Sequence, residues 1–499
     1  MTDSTIAIAE THVTRPRRLP RRLPTDEDVV AHRPVQVVWE LTLACNLRCV
    51  HCGSRAGRKR EGELSTEECL DVVRQLAELG TRQITLIGGE AYLRKDWLII
   101  AKAITDAGIH CGIQSGARAL TEERIRAAVE AGIGTLGVSI DGPRDIHDRQ
   151  RGVKGSFDHA LRALRFANAA GIKTGVNTQI NALSKPHLRE IFDTIVEHGA
   201  RFWQVQITVA MGNAVDNDAM LLQPHEIPET LDLLADLFER GRQIGFRLIP
   251  GNNIGYYGPH EYMWRTITSE PEHWAGCTAG ENSLGLEADG KIKSCPSLPA
   301  DPYGGGNART VPIRDAMAAL VPTTTRLDRT PAGGFCASCY YWNVCRGGCT
   351  WVTHGLSGKR GDNPFCYYRA RELAKKGLRE RIVKVAEAPG EPFDFGRFDI
   401  IVEDENGRRV PGELARDDKK RPRGRKLELC TGCREFIFAS ERICPHCGAA
   451  HRPERKSVRA SSEPAVQSLV DEIDAHARRV HELVYGPALP AGARAAQSR

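Results

Sequence analysis

The stretch VQVVWELTLACNLRCVHC, residues 35–52, decides how this chain is read. Its first half, 35–43, is rich in β-branched and apolar side chains, the signature of a strand. Directly behind it stand Cys45, Cys49 and Cys52 in the spacing C-x3-C-x2-C. Three thiolates so spaced can wrap three corners of an iron–sulfur cubane and leave the fourth iron without a protein ligand, since thiolates are the usual ligands of such clusters. A zinc site or a buried cysteine cluster would use the same residues. The surrounding chain has to decide.

Outward from this stretch a rhythm continues. Strand-like runs at 35–43, 83–87, 110–114, 135–140, 173–180, 203–209 and 246–250 alternate with amphipathic helical segments. Cys69, Val72, Val73, Leu76 and Leu79, for example, fall on one helical face. Repeated β–α units predict a parallel sheet with right-handed crossovers. Six or seven units suit a barrel or an open partial barrel, with the chemistry at the C-terminal strand ends. The expected fold class is therefore α/β. The three cysteines then sit at the functional end.

Further candidates follow in order. Gly88-Gly89-Glu90 comes after the second strand, Ser139 and Asp141 close the fourth, and Arg151 lies shortly beyond. Asn177 and Gln179 end the fifth, and Met211-Gly212-Asn213 follows the sixth. Taken singly, Gly88 and Gly89 read as a plain turn and Asp141 as a helix cap. Together with the three cysteines, residues 35–265 resemble the radical S-adenosylmethionine (SAM) superfamily. The resemblance implies a partial (β/α)6-type barrel and a [4Fe–4S] cluster on Cys45, Cys49 and Cys52. Its open iron would chelate SAM, and reductive cleavage of SAM would give a 5′-deoxyadenosyl radical that takes a hydrogen atom from substrate. It further implies that His51 lies near the adenine and that Gly88, Gly89 and Glu90 bind the methionyl amino group. Ser139 and Asp141 would border the ribose and carboxylate, and Arg151 would pair with the SAM carboxylate. The Pro usual after the GGE segment is Ala91 here.

The chain has 499 residues, 41% of them hydrophobic and only 6% aromatic. Its net charge is +6, concentrated in basic runs at 15–22 and 416–426, which does not mark a nucleic-acid protein. No apolar run reaches the roughly 20 residues of a membrane span. The first residues lack the apolar stretch of a secretory signal, so a cytoplasmic location is expected. Sixteen cysteines in such a chain point to metal or redox chemistry.

A second group holds Cys277, Cys295, Cys336, Cys339, Cys345, Cys349 and Cys366 in a Gly- and Pro-rich segment. A segment so poor in apolar periodicity needs metal staples, and a pair of zinc sites would serve. The order of the seven cysteines resembles the SPASM domain of radical SAM peptide and protein maturases. That resemblance implies two auxiliary [4Fe–4S] clusters: an outer one on Cys336, Cys339, Cys345 and Cys366, and an inner one on Cys277, Cys295 and Cys349. The sulfatase-maturing members have a further cysteine where this chain has Pro271, so the inner cluster either keeps an open iron or takes a residue such as His273. Finally, Cys430-x2-Cys433-x10-Cys444-x2-Cys447 is the spacing of a zinc ribbon, with a rubredoxin-like iron site as the alternative. Cys69 and Cys111 read as small core residues.

The expected organisation is a basic tail at 1–32, the radical SAM partial barrel at 33–268 and the SPASM unit at 269–375. A helix near 369–387 and a basic linker occupy 376–427, with a hairpin turn near 404–407; a separable zinc ribbon spans 428–452, and a helix and tail 453–499. The resemblance implies a radical oxidation or crosslink on a ribosomally made peptide. A radical SAM enzyme acting on a small molecule such as a tetrapyrrole is the alternative. Expected partners are a peptide substrate and an electron donor such as a flavodoxin or ferredoxin. A separate peptide-recognition protein, or the zinc ribbon itself, could stand in for the recognition domain that 1–32 is too short to form.

Overall fold

The computed structural model describes residues 21–266, 270–320 and 331–451. Seven strands follow one another in chain order and pair in parallel: β1 (Gln36–Thr42), β2 (Gln83–Gly88), β3 (His110–Ser115), β4 (Thr135–Ser139), β5 (Lys173–Ile180), β6 (Phe202–Ile207) and β7 (Arg247–Pro250). Each falls within three residues of its sequence-predicted place, because each is a β-branched or apolar run bounded by helix caps and turn glycines. Helices fill every gap; Thr66–Glu78 starts from a Ser65 capping box and buries Cys69, Val72, Val73 and Leu76.

Strand alternation separates two faces. Val37, Trp39, Leu41, Ile84, Leu86, Cys111, Ile113, Leu136, Val138, Trp203 and Val205 are buried in the main core, which the helices share. Cys69 and Cys111 belong to it as apolar residues. The opposite face is polar and partly accessible, with Thr85, Gln114, Asn177, Gln179, Gln204 and Gln206. A parallel sheet of this kind usually buries both faces; a polar second face marks a space for ligands.

The sheet runs on past residue 268. β8 (Ser283–Leu286) pairs in parallel with β1, and β9 (Lys291–Lys293) and β10 (Gly304–Asn307) add antiparallel strands. The order is β10-β9-β8-β1-β2-β3-β4-β5-β6-β7, so the sheet is open between β7 and β10 as a partial barrel. Strands of three or four residues, one of them Gly-Gly-Gly-Asn, carry too little alternation to be read from sequence.

Three segments differ from expectation. Residues 21–32 are not all tail: Asp26–Val30 is a helix with a Thr25–Asp28 capping box, and Asp28 pairs with Arg82. The helix expected over 369–387 is Tyr367–Ala374 alone. Gly377 (φ 66°) reverses the chain into β11 (Leu378–Ala386), which pairs with β12 (Arg397–Asp404). The sequence LRERIVKVA alternates, but its charged residues mimic a helix surface. The basic run 416–426 is not a free linker, since Arg421 donates from Nε to Cys339 O (2.9 Å) and the Asp417 carboxylate accepts from Tyr340 N and Tyr368 Oη. The turn at 404–407 is as expected, with Gly407 N donating to Asp404 O. The helix and tail expected at 453–499 lie outside the described residues. Among those described, no helix is long and apolar enough to cross a membrane.

Candidate active site

The loop behind β1 is fixed by backbone bonds to its neighbours. Cys45 N donates to Gly57 O (3.1 Å), Arg48 N to Arg151 O (3.0 Å), Val50 N to Gln150 O (2.9 Å) and Asn213 N to Cys52 O (3.0 Å). Asn213 Nδ2 also donates to Cys49 O (2.8 Å). Gly212 is held against the loop, for a Cβ there would stand 2.3 Å from Cys52 O. Met211-Gly212-Asn213 thus braces the back of the cysteine loop.

The three cysteines are partly exposed as residues, and each sulfur has a donor. Leu47 N reaches Cys45 Sγ (3.4 Å), Ala56 N reaches Cys52 Sγ (3.4 Å), and Arg151 Nη1 reaches Cys49 Sγ (3.7 Å). Donors on sulfur stabilise thiolate charge and tune a cluster's potential. Burial pushes the Cys45 thiol up to about 12 and that of Cys49 to about 11, so in the metal-free chain both are neutral and cluster assembly must displace their protons.

Gly88 and Gly89 are steric requirements. A Cβ on Gly88, whose φ is 148°, would lie 2.0 Å from Thr42 O; one on Gly89 would lie 2.3 Å from Ala44 O and 2.6 Å from Cys45 Cβ. Their crossing lets Gly89 N donate to Thr42 O (2.9 Å) and Glu90 N to Ala44 O (2.8 Å). Those two amides are thereby used in supporting the cysteine loop. The Glu90 carboxylate is buried, accepting from Ser115 Oγ and from Gly116 N (2.6 Å) at the end of β3. Burial pushes it up to about 7 despite those bonds.

Asp141 is fully buried behind β4. Its Oδ1 accepts from Gln179 N (2.9 Å) and its Oδ2 pairs with Arg151. His51 Nε2 stands 3.9 Å from the same oxygen. Burial brings His51 down to about 4, leaving the ring neutral. Ser139 Oγ accepts from Gln114 Nε2 (3.2 Å). The structure therefore gathers Cys45, Cys49, Cys52, His51, Gly88, Gly89, Glu90, Ser139, Asp141 and Arg151 at one end of the sheet. His51 Nδ1 and Arg151 Nε are buried there without a hydrogen-bond partner, polar atoms that a bound ligand would satisfy.

The seven downstream cysteines sort into two sets. Burial raises each thiol; beyond burial, Cys349 is raised by Cys277 and Cys295, and Cys277 by Cys295. Cys339 is raised by Cys336, Cys366 and Cys345, and Cys345 by Cys366 and Cys336. Cys336, Cys339, Cys345 and Cys366 also line one cavity, walled by aromatic rings. Tyr256 stands between the sets: its hydroxyl accepts from Cys349 N (3.0 Å), and its carbonyl accepts from Cys366 Sγ (3.6 Å). His273 packs on Phe436 (5.1 Å) and Tyr257 (6.2 Å), and burial aside Tyr257 feels Cys345 and Cys339. That contact puts His273 against Tyr257, one of the rings that wall the set of four.

In the C-terminal unit, the sulfurs of Cys430, Cys433, Cys444 and Cys447 all lie within 4.8 Å of one another, the one such convergence of potential ligands among the described residues. Cys430–Cys447 is 3.8 Å and Cys433–Cys444 3.7 Å. A tetrahedron with metal–sulfur bonds of about 2.3 Å has edges of about 3.8 Å. The donor set therefore fits a single metal ion.

Sequence reading missed several partners. Ser115 and Gly116 hold Glu90 from another strand end. Arg55 Nε donates to Asp394 Oδ1 (2.8 Å) and Phe393 N to Gly53 O (3.1 Å), tying the β11–β12 connection to the cysteine loop across more than 330 residues. No local pattern marks such contacts.

Comparison with known proteins agrees with this geometry. A family model for the Radical SAM superfamily matches residues 39–195. The chain is 30% identical over 366 residues to the Fe-coproporphyrin III synthase of Methanosarcina barkeri, covering 68% of this chain and 89% of that one. It is 28% identical over 329 residues to the mycofactocin maturase MftC of Mycobacterium tuberculosis, covering 63% and 78%. Among solved structures, native anSMEcpe with bound AdoMet and Cp18Cys peptide is similar at a TM-score of 0.54 and 16% identity, covering 68% of this chain and 95% of that one. With the cysteine loop, its glycine crossing and these matches in agreement, the chain is an enzyme that belongs to the radical SAM superfamily.

Proposed function

We propose that this enzyme is a maturase that modifies a ribosomally made peptide by radical oxidation or crosslinking. The observation that carries the reading is the sorting of seven cysteines into a set of three and a set of four within the same unit as the cysteine loop. Two clusters held by these sets would supply a sink for the electron left after hydrogen abstraction, which suits a net oxidation. The opening between β7 and β10 leaves room for an extended chain, and the similar anSMEcpe structure contains a peptide. The second reading, a tetrapyrrole substrate, is favoured by the 30% identity to Fe-coproporphyrin III synthase.

When bound, SAM and the cluster supply a one-electron cleavage that delivers a 5′-deoxyadenosyl radical. Cys45, Cys49 and Cys52 hold that cluster, and Arg151, anchored by Asp141, places positive charge against Cys49 Sγ. Glu90, once deprotonated, receives the methionyl ammonium, while the neutral His51 ring and Ser139 border the nucleoside. Cys336, Cys339, Cys345 and Cys366 hold the outer auxiliary cluster, Cys277, Cys295 and Cys349 the inner one, and the ribbon holds zinc. Anaerobic reconstitution should therefore give about 12 irons per chain, four per cubane, together with one zinc. A plateau near four irons with several zincs would remove both auxiliary clusters.

Glu90 makes SAM binding depend on pH. Its acidity in the fold lies near 7, well above the usual carboxylate range. Below that pH it is protonated and attracts an ammonium poorly; above it the pairing is present. SAM affinity, measured by equilibrium binding to reconstituted enzyme, should rise as pH increases through about 7. In Glu90→Gln it should be weaker by an order of magnitude, on the scale of one charge-assisted bond, and flat across that range. An unchanged pH profile in the variant would assign the ammonium to another group.

The function itself is tested by incubating reconstituted enzyme, SAM and reductant with short peptides encoded beside its gene, and with iron coproporphyrin in parallel. Loss of two hydrogens per modified peptide supports the maturase. Turnover of the tetrapyrrole with every peptide mass unchanged establishes the second reading.

A further inference from the structure

The ribbon is not an appendage. β13 (Leu427–Leu429) and β14 (Phe436–Phe438) form its hairpin, and Leu427, Phe436 and Phe438 belong to the main core. Glu435 O and Ala439 N bond across to β13, so the backbone of Phe436 and Phe438 points the other way. There it meets two consecutive tyrosines that follow Cys339. Tyr341 Oη donates to Phe436 O (2.6 Å), and Tyr340 Oη accepts from Phe438 N (3.2 Å). Two hydroxyls thus take the place of a third strand on the free edge of β14.

Tyr341 makes a third contact. His446, in the knuckle between Cys444 and Cys447, has Nε2 2.8 Å from Tyr341 Oη. The hydroxyl proton is already committed to Phe436 O, so Nε2–H is the donor. The Tyr341 ring in turn stacks on Tyr257, with centroids 3.9 Å apart and planes 10° apart. Both rings line the cavity of Cys336, Cys339, Cys345 and Cys366. Arg371 adds an ion pair to Glu435 (2.8 Å).

The ribbon's own apolar cluster is Cys430, Ile437 and Cys444, with Cys433 and Ala449 against it. So small a core of their own leaves the knuckles dependent on the metal their cysteines would bind. We propose that the ribbon buttresses the Tyr341 wall of the outer cysteine cavity from behind, and that the metal in the ribbon, by holding that wall in place, controls solvent access to the cluster the cavity would hold, with Tyr341 as the positioning residue. This rests on the outer set holding an iron–sulfur cluster, as proposed above. Solvent exposure is one of the determinants of a cluster's potential, so the ribbon metal also sets the redox behaviour of the outer cluster.

The test uses the full chain, reconstituted anaerobically, with the Cys444→Ser and Tyr341→Phe variants beside it. Zinc content, iron release to a ferrous chelator and the EPR midpoint potential of each cluster are read. Cys444→Ser should lose zinc, and about four of its irons should leave about tenfold faster than in the parent enzyme. Tyr341→Phe keeps all four ribbon ligands and so covers the case in which Cys444→Ser fails to fold. It should retain zinc, release the same irons several-fold faster and shift one midpoint potential only. Parent enzyme with about 12 irons, and variants whose iron release and potentials stay within about twofold of it, overturn the wall alone. Parent enzyme that takes up only about four irons overturns the outer cluster and the wall together.

Discussion

Changing Cys45, Cys49 or Cys52 to alanine should reduce 5′-deoxyadenosine release to background. The three ligands share one loop whose backbone is pinned by Gly57, Gln150, Arg151 and Asn213, so no other thiol can move into a vacated corner. Cys69 and Cys111, the two cysteines outside the groups, are locked in the core. On the proposed assignment of two further clusters to the seven downstream cysteines, each variant should keep about eight irons. The check is chromatographic quantitation of 5′-deoxyadenosine after reduction, alongside iron content. Cleavage retained in the triple variant would place the reactive cluster elsewhere.

Gly89→Ala should be nearly as damaging without removing any ligand. The added Cβ would stand 2.3 Å from Ala44 O and 2.6 Å from Cys45 Cβ, and neither can give way without displacing Cys45. Overlap of this kind with backbone costs on the order of 3 kcal/mol. Strain so placed falls on cluster assembly. The variant should lose about four irons and its SAM cleavage, while its far-UV circular dichroism stays near that of the parent. Gly57→Ala is the contrast: nothing lies within 4 Å of its added Cβ, so iron content should be unchanged. A Gly89→Ala enzyme that keeps full iron and activity would show that the crossing is looser than the structure has it.

The parallel sheet was legible because its strands are long enough for composition and alternation to register. Helix caps such as Ser65 mark the joints between them. Short strands were not: β9 has three residues, and β10 is mostly glycine. The segment 378–386 has a strand's alternation, yet its Arg, Glu and Lys residues suit a helix surface equally well, and pairing with β12 decides. Within the site, motif residues such as Cys45, Gly88 and Asp141 were readable because each stands at or just behind the end of a strand. What they do to one another was less so. Gly88 and Gly89 prove to be required by a backbone crossing that no local pattern marks, and Glu90 is held from β3. The ribbon's metal spacing was plain in sequence, but its attachment was not. Tyr340, Tyr341 and Arg371 lie far from it along the chain and form no pattern, so a ribbon expected to be separable turns out to be packed into the core.

The central claim is that Cys45, Cys49 and Cys52 hold a SAM-binding cluster distinct from two auxiliary ones. EPR of the dithionite-reduced enzyme with and without SAM tests it most directly. The account predicts three reduced [4Fe–4S] signals, one of which shifts when SAM is added and is missing from the Cys45→Ala variant. A fully loaded enzyme in which no signal responds to SAM, or in which the responding signal survives Cys45→Ala, would contradict it.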